Sequence, residues 1–155
     1  MSKVGRASRN SSYMRVETLT ASKTISSAES GELYLINHNA ASTLAVTLPA
    51  AKAGAYFKFI VIADMLNDDA AFSITTAGAA GTLQGVCTGM EAADGSGFKS
   101  EVDGGSASTL TIGSSDTAVH VGSSVECYCD GTNWILLGNV IIVAGGAAGD
   151  GYAWT

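Results

Sequence analysis

The sequence predicts an all-β fold, on three observations: short apolar runs with period-two alternation, glycine and polar turns between them, and no stretch with helical periodicity long enough for a helix. At 155 residues the chain suits one hydrophobic core. Charged residues make up 14% of it and apolar residues 46%. A free monomer usually carries a denser, mixed-charge surface, so part of this one is expected to be covered by partners.

Along the chain, residues 1–16 mix Ser, Asn, Arg and Gly without periodicity and read as an extended basic arm. Lys3, Arg6, Arg9 and Arg15 all precede the first acidic residue, Glu17, and only four basic residues follow them. The arm is therefore basic, while the net charge of −6 makes the body acidic. An acidic body argues against wrapping nucleic acid, which needs clustered Lys and Arg on a folded face. The β-domain is expected over 17–143, with strands at 33–37, 43–48, 55–63, 72–76, 110–113, 125–129 and 134–138. In the second of these Leu44, Val46 and Leu48 alternate with threonines and face the core. The run Tyr56-Phe57-Lys58-Phe59-Ile60-Val61-Ile62 reads as a central strand covered on both faces.

Pro49 closes a strand and begins a connection to Gly54 with room for one helical turn. Residues 77–105 are glycine-rich and are expected to be long loops with one or two irregular strands. Asp130-Gly131, between two β-type runs, predicts a tight hairpin. Residues 144–155 read as a flexible Gly/Ala tail ending in Tyr152 and Trp154, an aromatic pair suited to a pocket on a neighbouring subunit. Holding such ends still costs about 1–2 kcal/mol per residue in backbone entropy, so other subunits are expected to supply the contacts.

No catalytic group, cofactor or metal site is predicted. His38 and His120 lie in different β-type runs without Cys or a second His at ligand spacing, and read as structural. Cys127 and Cys129 share one strand face, point away from disulfide geometry, and together with Cys87 read as free thiols packed in the core. No serine sits in a nucleophile elbow and no His–Asp partnership is visible. Acidic pairs such as Asp68 and Asp69 lack calcium-loop spacing. A hydrolase on a β scaffold would need acid and base groups converging in one pocket. No apolar run approaches the roughly 20 residues of a membrane span. No secretory signal is read, and synthesis in a reducing host cytoplasm is expected.

The segments Leu44-Ala45-Val46-Thr47-Leu48-Pro49-Ala50-Ala51, Tyr56-Phe57-Lys58-Phe59-Ile60-Val61 and Cys129-Asp130-Gly131-Thr132-Asn133-Trp134 resemble tailed-bacteriophage virion proteins over roughly residues 33–138. They are most like capsid decoration (cement) proteins, with fibre or tailspike β-modules next. The resemblance implies a single β-sandwich, jelly-roll or β-tulip-like domain, a homotrimer on the outer capsid surface of the virion that stiffens the shell. Its partners would be the major capsid protein and itself, with no nucleic acid and no membrane. On this reading Lys3, Arg6, Arg9, Arg15, Tyr152 and Trp154 bind the capsid or a neighbouring subunit. The alternative is a fibre or receptor-binding module whose loops over 77–105 touch the host surface.

Overall fold

The computed structural model describes residues 14–67, 69–77, 83–92, 97–113, 118–142 and 152–155. Their twelve strands form two sheets packed face to face. In chain order they are β1 (Val16–Leu19), β2 (Lys23–Thr24), β3 (Leu33–Ile36), β4 (Thr43–Leu48), β5 (Tyr56–Val61), β6 (Ala71–Thr76), β7 (Leu83–Glu91), β8 (Gly97–Ala107), β9 (Thr109–Ile112), β10 (Ser124–Cys129), β11 (Trp134–Ile142) and β12 (Tyr152–Trp154). The seven-stranded sheet runs β1-β3-β5-β10-β11-β7-β8 and the five-stranded sheet β12-β9-β6-β4-β2. The all-β, sandwich-like architecture is as expected.

The first six strands alternate between the sheets. β1, β3 and β5 lie side by side and parallel in one, and β2, β4 and β6 do the same in the other. The chain thus winds three flattened coils, each stacked on the last, as a β-helix does. The turns stack as well: Asn39 Oδ1 accepts the backbone N–H of Leu66 at 2.8 Å and of Asn67 at 2.9 Å, one coil further on. β9 then pairs antiparallel with β6, β10 with β5 and β11 with β10, while β7 lies parallel to β11 and β8 antiparallel to β7.

Alternation decides what the sandwich encloses. Leu44, Val46 and Leu48 point inward from β4, and Phe57, Phe59 and Val61 from β5. Phe59 meets Phe72 of the opposite sheet with ring centroids 5.6 Å apart, and Phe57 meets Trp134 at 5.7 Å. The three thiols are free and buried among these groups, and burial pushes the Cys87 thiol up to about 12. His38 is also buried, its Nε2 2.8 Å from the Ser42 carbonyl oxygen.

Several expectations are corrected. β5 is covered on one face only, because Tyr56, Lys58 and Ile60 stay half-exposed on the outside. Residues 83–91 and 97–107 are two long paired strands, where long loops with one or two irregular strands were expected; residues 78–82 and 93–96 of that segment lie outside the described residues. Between Pro49 and Gly54 the chain makes a turn closed by Ala55 N–H donating to the Lys52 carbonyl at 3.0 Å, without a helical turn. The hairpin from β10 to β11 has a four-residue loop, since Cys129 pairs with Trp134. Only Gly131 there takes positive φ, at +107°. The carboxylate of Asp130 does the rest, accepting the N–H groups of Thr132 and Asn133 at 2.7 Å each. Those bonds hold Asp130 below the usual carboxylate range. Asp130→Ala should accordingly lower the melting temperature at pH 7 by a few degrees and by less at pH 3, where the wild-type acid is itself partly protonated; an unchanged midpoint in paired thermal melts at both pH values would contradict the role given to this side chain.

Candidate functional site

The outer face of the seven-stranded sheet gathers apolar side chains that the core does not use. Five large apolar residues stand exposed there, Val16 (56%), Met90 (52%), Leu137 (47%), Tyr128 (40%) and Ile135 (37%). They belong to β1, β7, β10 and β11 and share a face because alternate residues of a strand point the same way and register carries that face across the sheet; Tyr128, Ile135 and Leu137 each stand between buried neighbours. Register sets them in rows across the sheet. One row runs Val16, Leu33, Lys58, Glu126, Leu137, Val86, Glu101 over all seven strands. The row on one side is Tyr56, Tyr128, Ile135, Gln84. That on the other is Thr18, Leu35, Ile60, Ser124, Asn139, Thr88.

Lys58 and Glu126 stand side by side at the middle of the longest row, and each answers the other. Lys58 Nζ donates to Glu126 Oε1 at 2.8 Å, and Tyr128 Oη donates to Glu126 Oε2 at 2.5 Å. The bond from Lys58, then that from Tyr128, lowers the Glu126 carboxyl, and the same contact with Glu126 raises the Lys58 ammonium and pushes the Tyr128 phenol up to about 12. Tyr56 and Tyr128 lie beside them with ring centroids 5.0 Å apart. The face is therefore flat, largely apolar and locally neutral. Contiguous exposed apolar patches of this kind are uncommon on monomeric proteins.

A second cluster closes the sandwich edge where the first coil ends. Glu17 of β1, Glu29 of the single 3₁₀ turn at Ser27–Glu29, and Glu32 bring carboxylate oxygens within 4.8 Å of one another. Lys23 of β2 sits among them, its ammonium 2.5 Å from Glu17 and 2.6 Å from Glu29, and 5.1 Å from the centre of the Tyr34 ring. Arg15 lies 3.0 Å from the buried Glu32 carboxylate, an ionic contact that makes no hydrogen bond at that oxygen. The Lys23 contact is the main reason Glu29 falls to about 2. Burial pulls Lys23 down, but its bonds to Glu17 and Glu29 outweigh this and leave it raised. The ammonium fills the position a metal cation would take, so the cluster acts as a charged lock. A lysine held inward on a short edge strand also blocks another strand from stacking there.

A His–Asp partnership does exist, between residues 56 positions apart that the sequence could not connect. His120 Nδ1 lies 2.9 Å from Asp64 Oδ1, which also accepts Val121 N–H at 2.7 Å. The backbone bond from Val121, then the contact with His120, holds Asp64 below the usual range. The neighbouring hydroxyl, Ser123, is buried and occupied: its Oγ accepts Ile141 N–H at 2.9 Å. The pair ties the β5–β6 connection to the approach to β10.

Of the residues expected to bind a partner, Lys3, Arg6 and Arg9 lie outside the described residues, as do residues 144–151 of the tail. Arg15 is engaged with Glu32 of its own chain. Trp154 packs, partly buried, against this chain's own core, while β12 pairs antiparallel with β9, Tyr152 opposite Ile112 and Trp154 opposite Leu110. The free edge of β9 offered ladder bonds, and Thr155 N–H donates to the Thr109 carbonyl at 2.9 Å. Burying indole area outweighs leaving Nε1 without a partner. The C-terminus is thus held from within. Compared with models of known protein families, with curated proteins and with solved structures, the chain gives no match to any of the three.

Proposed function

We propose that this chain is a structural protein of a tailed-bacteriophage virion, a decoration protein that binds the outer capsid surface and stabilises the shell, with no catalytic role. The observation that carries this reading is the apolar, locally neutral outer face of the seven-stranded sheet, a surface suited to close contact with other protein. The charge-poor composition supports it, as do segments resembling such proteins. The capsid contact falls to the basic arm through Lys3, Arg6 and Arg9, since Arg15 already balances Glu32.

The winding of β1 to β6 into parallel coils favours a second reading, a fibre or receptor-binding module, because β-helices are built this way. Copy number separates the two. Densitometry of purified virions should give hundreds of copies for a decoration protein, whereas tens would favour a fibre. Removing residues 1–13 while keeping β1 intact should then lower occupancy on shells stripped of the protein; wild-type occupancy of the truncated chain would defeat the arm's assignment.

A further inference from the structure

We infer that the outer face of the seven-stranded sheet joins two copies of this chain about a two-fold axis running along the strands between β5 and β10. The inference rests on the assembly reading above and names the partner of that face.

The longest row carries the argument. On one side of the proposed axis stand Lys58, Leu33 and Val16, and on the other Glu126, Leu137 and Val86, each pair at matching distance in strands. A half-turn about that axis lays Lys58 over Glu126 of the second copy and Glu126 over its Lys58. Four charges then alternate in sign. The same rotation sets Leu33 against Leu137, Val16 against Val86, and Tyr56 against Tyr128. Each of these six positions meets a complementary one, as an isologous contact requires, and Glu101 of β8 ends the row beyond the contact.

Charge also separates this occupant from another protein. The chain's net charge of −6 would call for a basic partner, yet the centre of this face carries one positive and one negative group already in contact, and the positions that continue its rows onto β8, Lys99 and Glu101, are again one of each sign. It has nothing for a charged stranger to read, and it does not repel itself. The three rows cover roughly 30 Å by 20 Å at standard strand and residue spacings, so two copies bury on the order of 1,000 Å², the lower end for a specific contact. Two sheets meeting with aligned strands is also the usual sandwich packing. A two-fold contact closes at two copies, so it is separate from any contact that would arrange three.

The test uses sedimentation equilibrium of the full chain in the micromolar range. The wild type should dimerise. Lys58→Glu and Glu126→Lys should each weaken dimerisation on the order of 10- to 100-fold, because each sets like charges face to face. An equimolar mixture of the two variants should restore the dimer, since every facing pair is again opposite in sign. A monomeric wild type, single variants that dimerise as the wild type does, or a mixture that stays monomeric would each overturn the inference. If a charge variant fails to fold by circular dichroism, Leu137→Lys decides in its place: it must fold and lose the dimer, and a dimer retained overturns the contact. Shell occupancy measured in parallel keeps the two claims apart. A monomer that still coats shells removes this contact and leaves the decoration role, and a dimer that coats none does the reverse.

Discussion

Gly85→Ala should destabilise the protein by at least about 3 kcal/mol, lowering the melting temperature by roughly 10 °C. Gly85 lies in β7 where the pairing with β8 shifts register, and its φ is +144°. A side chain there is strained whatever the space. There is no space either: a Cβ would lie 1.9 Å from the carbonyl oxygen of Leu136 in the neighbouring strand. The obstruction is backbone in a ladder, so no rotamer change relieves it. Gly97 supplies the control, because a Cβ there meets only the Gly89 carbonyl oxygen at 3.8 Å. Gly97→Ala should melt within a degree or two of the wild type. Equal midpoints for the two variants in calorimetry would show that the bulge at Gly85 is not a constraint.

Lys23→Met should cost about 2 kcal/mol at neutral pH, with the deficit shrinking as the solution is acidified. The ammonium of Lys23 balances Glu17 and Glu29, and without it only Arg15 faces three neighbouring carboxylates. Glu29 falls from an ordinary 4.5 to about 2 in the folded chain, chiefly through its bond to Lys23. A depressed carboxylate contributes stability that is complete above its unfolded pKa and lost as pH falls through the folded one. In the wild type that contribution is present at pH 7 and disappears between about 4.5 and 2. The variant lacks it throughout, so the two denaturation curves should converge near pH 2. Methionine retains most of the apolar stem and removes the ammonium that lies over Tyr34. A deficit that does not change between pH 7 and pH 3 would mean that packing on Tyr34, and not charge balance, is what Lys23 contributes.

These two sites also mark where sequence reading stops. The alternation in β4 showed in advance that Leu44, Val46 and Leu48 face inward, because one face of that strand is dry and the other carries threonine. In β5 the same logic overreached: Tyr56, Lys58 and Ile60 made the run look buried on both sides, whereas they belong to an outer face that is apolar yet uncovered within the chain. Over 77–105 the sequence suggested long loops with at most two irregular strands, because glycine is a poor strand former alone, and here the neighbouring β11 supplies the ladder for two long ones. β1 and β2 are too short to show a period, and their repeat is visible only as parallel neighbours. A glycine two residues ahead of both β3 and β5 was the available hint of the coil. Nothing local in the sequence says that closing the sandwich edge brings Glu17, Lys23 and Glu29 together. The same holds for Asp64 and His120.

The position of β11 has a consequence for folding. This strand enters between β10, already hydrogen-bonded to β5, and β7, already hydrogen-bonded to β8. Without β11 in place the chain holds two separate pieces of one sheet, each ending in a bare backbone edge. Such edges pair with whatever strand arrives first, including one from another copy. A chain in which β11 has not yet docked is therefore the form most open to pairing with its own kind, and the yield of native protein should fall as the concentration of folding chains rises.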